Sequence, residues 1–110
     1  MKEPDLILPR RLAIQLLHEA HIAAPEPIHG WVLAADGAPS AWLAGPARPA
    51  RAVWARLWSV PLAAAVPAAA ELDADALHLL VSLNTKGVLE MRAWELRDGR
   101  PHERILKIHD

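Results

Sequence analysis

The chain contains no cysteine, no tyrosine and no phenylalanine. The absence of cysteine excludes disulfides, thiolate nucleophiles and thiolate metal ligands. Aromatic packing falls to Trp31, Trp42, Trp54, Trp58 and Trp94 alone. Glycine is scarce, with five in all, and they never approach the spacing of a phosphate-binding loop. No apolar run nears the ~20 residues that a membrane helix needs. The opening Met1-Lys2-Glu3-Pro4-Asp5 has no signal-peptide core, so a cytoplasmic protein is expected. Charge of one sign is missing too: 12 basic against 13 acidic residues gives −1, and nothing global points to nucleic acid. What remains is a chain of 110 residues, 53% hydrophobic, expected to form a single domain over residues 1–110 with a real core.

Periodicity predicts the elements. From Pro9 to Ala23, Leu12, Ala13, Leu16, Leu17 and Ala20 recur on one helical face, and Pro25 marks the stop. Ile28–Ala35 and Ser40–Ala44 flank Asp36-Gly37 as a β-hairpin, with a loop that Ala38-Pro39 could lengthen. Gly45–Pro49 reads as a connection. Val53–Val60 fits helix and strand about equally well. Pro67–Ala74 reads as a short helix with proline near its start. Leu77–Leu83 is almost wholly apolar, as a strand covered on both faces is. Val88–Leu96, a turn at Asp98-Gly99 and a last strand at Arg104–Ile108 follow. Strands and helices in this order predict an α+β domain with a mixed sheet flanked by helices.

Residue chemistry offers few sites. His18 and His21 are three apart on the helix and suit a weak two-ligand contact at most. His29, His78, His102 and His109 are isolated, and His78 lies within the most apolar strand. Glu71, Asp73 and Asp75 lack the glycine and further oxygens of a calcium loop. Ser40, Ser59 and Ser82 have no nucleophile-elbow context. Between Asp36 and Glu71 there is no acidic residue, while Arg48, Arg51 and Arg56 fall there beside Trp42, Trp54 and Trp58. That composition suits a binding surface. It equally suits arginine stems laid over a small indole-filled core.

Several stretches together resemble the short prokaryotic form of the JAMM (MPN, Mov34) domain. They are Leu8-Pro9-Arg10-Arg11-Leu12 with Leu16-Leu17-His18-Glu19-Ala20; Ala24-Pro25-Glu26 through Gly30, leading into Trp31-Val32-Leu33; and Val81-Ser82-Leu83 with Met91-Arg92-Ala93-Trp94-Glu95-Leu96-Arg97-Asp98-Gly99 and Glu103. The resemblance runs over nearly the whole chain. It implies the JAMM fold, whose active members are zinc peptidases with an HSHP and PSxxD signature and an earlier glutamate as general base. The matching stretch here is Trp58-Ser59-Val60-Pro61, followed by Pro67-Ala68-Ala69-Ala70-Glu71-Leu72. Trp58 and Val60 therefore stand at the two histidine positions and Glu71 at the aspartate. Ala68 replaces the serine, and Pro27 stands at the general base with Glu26 one residue away.

The resemblance thus implies a pseudoenzyme with no zinc and no other cofactor, its vacated site packed into the structure. Only Pro46–Ala52 fills a gap that is commonly helical in the family, so a sheet face or edge is expected to need cover, from a homodimer or another protein. The function implied is a protein-interaction module for a ubiquitin-like sulfur-carrier protein or an active relative, with Arg48, Arg51, Trp54, Arg56 and Trp58 as the candidate surface. The rivals are a metallopeptidase with an aberrant site, in which His18, His21 and His29 converge with Glu26 or Glu71, and a small-ligand binder using the former active-site pocket.

Overall fold

The structure, a computed structural model, describes residues 3–85 and 88–109. The elements in order are β1 (Leu6–Pro9), α1 (Arg10–Ala23), β2 (His29–Ala35), β3 (Ala38–Ala44), β4 (Val53–Val60), a single 3-10 turn (Ala69–Glu71), β5 (Leu77–Thr85), β6 (Val88–Arg97), β7 (Arg100–Arg104) and β8 (Leu106–His109). Six strands form one mixed sheet in the order β3-β2-β4-β5-β6-β7. The β4–β5 pair is parallel and the rest are antiparallel.

Helix α1 buries Leu12, Ala13, Leu16 and Ala20, the stripe its periodicity predicts. Pro9 serves as N-cap, and Ala24 takes the extended geometry (ψ 142°) that a following proline favours. The hairpin loop is two residues: Asp36 (φ 52°) and Gly37 (φ 79°) both adopt the left-handed region of a tight primed turn. Ala38 and Pro39 thus belong to β3, where an edge strand tolerates the missing N–H. A register shift on β3 next to Pro39 interrupts the pairing with β2. Gly30 is required by packing, since a Cβ there would lie 2.4 Å from the Trp42 ring and 2.5 Å from the Leu43 carbonyl oxygen.

The ambiguous Val53–Val60 segment is a strand. Its Ala55, Leu57 and Ser59 are buried while Trp54, Arg56, Trp58 and Val60 are partly exposed, a period of two. Strand β5 is central and closed on both faces: Leu79 and Val81 join the main core with α1, and Leu80 joins a second cluster with Ala65, Leu72 and Trp94.

Three expectations need correction. The Pro67–Ala74 helix is only the three-residue 3-10 turn, so α1 covers one sheet face and an irregular segment, residues 61–76, lies on the other. That segment cannot coil regularly because its carbonyls are engaged by the sheet: Ser82 Oγ donates to Ala63 O (2.6 Å) and Trp94 Nε1 to Ala65 O (2.9 Å). The last strand is also divided. Residues to Arg104 continue the main sheet as β7, and beyond Ile105 the chain turns to β8. Finally, β8 pairs in parallel with β1, a strand not foreseen, with Leu6 opposite Leu106 and Leu8 opposite Ile108. Leu8 is fully buried there, so its burial, not its role in the helix entry, explains the apolar start of the chain.

Candidate binding cleft

Strand register assembles the cleft. On the face away from α1, β2 offers His29 and Trp31, which lie opposite Trp58 and Arg56 of β4; Arg56 in turn lies beside His78 of β5. Alternation sends these five side chains to one side of the sheet. A cleft of about 390 Å³ opens among His29, Arg56, Trp58, Ala70, Glu71 and Asp73.

Arg56 is its hub. Its Nε donates to His29 Nε2 (2.8 Å), and its Nη1 bonds Asp73 Oδ2 (3.2 Å). Its guanidinium also lies 5.9 Å from the Trp31 ring centroid and 5.7 Å from that of Trp58, within the range of cation–π attraction. Arg48 covers Trp31 from the connecting segment at 5.7 Å. Trp31, 6% exposed, satisfies its own N–H on Gly45 O (3.1 Å). Two arginines and two indoles therefore form one continuous stack. Of the candidate surface residues, Arg48, Arg56 and Trp58 come together. Trp54 touches the main core and also shares a small recess with Trp31, Arg48 and Arg56, whereas Arg51 lies exposed in the connection.

His78 is fully buried under this layer. Its Nε2 accepts the Asp73 backbone N–H (3.1 Å), which places the neutral ring's proton on Nδ1. Burial pushes the His78 pKa below its ordinary 6.5, with the Arg56 charge acting in the same direction. Burial, and then the Arg56 charge, likewise lowers His29. Both imidazoles are therefore held neutral as acceptors.

The remaining candidates sit nearby without forming a reaction centre. Glu71 Oε1 accepts the Ala68 N–H (2.8 Å), and the Glu71 N–H returns to Ala68 O (3.0 Å), so this carboxylate caps its own turn. Ser59, 2% exposed, accepts the Ile28 N–H at Oγ (2.7 Å) and ties the entry to β2 onto β4. Pro27 and Glu26 are exposed, and His18 and His21 lie exposed on α1. The convergence of His18, His21 and His29 that a rearranged metal site needs is not found. Among the described residues, the only three-residue cluster of metal-ligand type is Glu3, Glu95 and His102. Arg97 and Arg104 already pair with those carboxylates. The expectation that the vacated site is packed shut is also corrected: Trp58 is half-buried against the second cluster and forms a wall of an open cleft. The signal for His29 and Trp31 was latent in the alternation of β2, whereas Asp73 and His78 join them only through the β4–β5 register and the covering segment.

No protein-family model matches the chain, and no curated protein matches it. Solved structures do. A JAB1/MPN domain protein, AF2198 of Archaeoglobus fulgidus, superposes with a TM-score of 0.69 at 14% identity, covering 96% of this chain and 99% of its own. Protein DSY2949 of Desulfitobacterium hafniense gives 0.68 at 13% identity, covering 96% and 93%. The chain has a JAB1/MPN-like fold. At such identity the likeness concerns backbone, and the chemistry must be read from these side chains. JAB1/MPN-type zinc chemistry needs lone pairs around the metal. Trp58 and Val60 offer none, Glu71 is engaged by the Ala68 amide, and Asp73 and the His29 acceptor nitrogen are engaged by Arg56. The residues present do not fit a zinc ion.

Proposed function

We propose that the protein is a catalytically inactive JAMM-fold module, a single cytoplasmic domain over residues 1–110, that binds another protein through the Arg48–Trp31–Arg56–Trp58 stack. One observation carries the reading: the Arg56 guanidinium occupies the cleft as a built-in cation, bonded to an imidazole nitrogen and a carboxylate, the donor types a metal would take. A fixed guanidinium polarises no water and presents no open coordination position. It does, flanked by indoles, provide the arginine and tryptophan contacts that dominate protein interfaces. No described helix is long and apolar enough to cross a membrane. A ubiquitin-like sulfur carrier or an active JAMM relative is the partner class that the fold suggests.

The cleft's volume and its Trp58 wall favour a second reading, a small polar ligand held against the indole. Elemental analysis and calorimetry separate the possibilities. The proposal expects far less than about one zinc per chain after dialysis. It also expects binding of a purified ubiquitin-like carrier protein that is lost in Arg48→Glu. Stoichiometric zinc defeats it. Saturable small-molecule quenching of Trp58 fluorescence without protein binding favours the second reading.

A further inference from the structure

The covering segment, residues 61–76, is attached to the sheet in two chemically different halves. Its first half hangs on Ser82 Oγ to Ala63 O and Trp94 Nε1 to Ala65 O, contacts in which nothing titrates near neutrality. Its second half hangs on Asp73: the backbone N–H donates to His78 Nε2, and the carboxylate holds Arg56, whose Nε donates to His29 Nε2. Each imidazole nitrogen acts here as an acceptor, and an imidazolium has none to offer.

We propose that His78 and His29 form an acid-sensitive latch that holds the Ala70–Asp73 edge of the cleft against the sheet and releases it, without unfolding, when the two rings are protonated. Burial keeps both rings neutral, and the charged groups facing each ring act on top of it, Asp73 favouring and Arg56 opposing a proton on His78. His78 faces Asp73 from the covering segment (Oδ2 at 3.8 Å) and Arg56 from β4; β6 contributes only the uncharged Trp94 opposite it, and the Trp58 ring stands edge-on at 5.6 Å. His29 faces Arg56, with Trp31 at 6.1 Å and with Glu71 and Asp73 across the cleft.

Protonated His78 no longer accepts the Asp73 amide. Its Nε2–H then meets the Asp73 N–H head-on, and the Asp73 carboxylate, at 3.8 Å, lies beyond hydrogen-bond distance to replace the lost bond in place. Protonated His29 loses the Arg56 hydrogen bond and sets a second cation beside it. The first event removes the backbone bond of Asp73 and the second loosens the Arg56 that holds its carboxylate, while the Ser82 and Trp94 contacts keep the first half in place. The latch rests on these bonds alone and does not depend on what occupies the cleft.

Amide exchange followed by NMR, corrected for intrinsic rates, tests it on the whole chain. Protection of the Asp73 amide is expected to fall by up to about tenfold per pH unit as pH drops below the ordinary 6.5 of a released ring toward the lowered His78 value, because the released ring takes up a proton that the latched ring refuses. The Leu79 and Val81 amides keep their protection throughout. His78→Gln, whose side-chain oxygen still accepts but does not titrate, is expected to abolish the pH dependence at Asp73. In the wild type, the fall in Asp73 protection should level off at the pH where the His78 ring nitrogens titrate, a readout that survives if the variant does not fold. Constant Asp73 protection from about pH 7.5 to 5, loss of Asp73 and Leu79 protection together, or a levelling-off at a different pH would each overturn the latch.

Discussion

On one face of the six-stranded sheet, Val32, Ala55, Leu57, Leu79, Val81 and Ala93 meet Leu12, Leu16 and Ala20 of α1, every one of them nearly or fully buried. On the other, a segment with one 3-10 turn inserts three buried side chains, Ala65, Pro67 and Leu72, and relies on specific bonds from Ser82, Trp94, His78 and Arg56. The first face is closed by volume and apolar area, which act at any pH and tolerate shape-conserving change. The second is closed by directional contacts, which hold only while each partner keeps its protonation state and geometry. The side chains of the candidate cleft all lie on the second face, where a less regular covering layer leaves room for it.

The largest effect should come from the volume-closed face. Leu79→Ala should destabilise the protein by about 2–5 kcal/mol in chemical denaturation, because its surroundings are rigid on both sides. Leu72→Ala should fall at or below the low end of that range, since an irregular segment collapses more easily around a deletion. Equal losses would break the contrast between the faces. Gly30→Ala should cost about 1–3 kcal/mol by overpacking, because the added methyl meets the Trp42 ring and the Leu43 backbone.

On the bonded face, Trp58→His with Val60→His should cost only about 1 kcal/mol, as both positions are partly exposed. It should still yield no stoichiometric zinc and no peptidase activity, because Arg56 continues to engage His29 and Asp73. Activity in that double variant would place a usable site in the cleft after all.

The smallest effect concerns Glu3, whose carboxyl is held at about 2, below its ordinary 4.5, first by the His102 hydrogen bond and then by Arg97. A lowered carboxylate value means stability present above pH 4.5 and lost as pH falls toward about 2. Glu3→Gln should therefore lower neutral stability slightly, since the group is exposed, and flatten the acid limb of the stability curve so that the two proteins converge near pH 2. An unchanged acid limb would show that this cluster, also bonded by Arg104, does not tie the chain's start to the sheet.

Where a property depends on neighbours in sequence, the residues alone were enough. The stripe of Leu12, Leu16 and Ala20 made a helix, Asp36-Gly37 made a hairpin turn whose length the structure then fixed at two residues, and the unbroken apolarity of Leu79-Leu80-Val81 made a doubly covered strand, because each follows from local backbone sterics and repeat period. The JAMM-type stretches likewise pointed to the fold. Tertiary structure decided the rest. Whether Val53–Val60 became strand or helix depended on the partners it found in β2 and β5. The pairing of β1 with β8 joins residues about a hundred positions apart, with too few residues in each strand for any period to show. The meeting of Arg56 with His29, Trp31, Asp73 and His78 rests on register between three strands and a covering segment. A slip of one residue in any of those pairings would turn the same side chains to the helix face, so no spacing along the chain could have announced it.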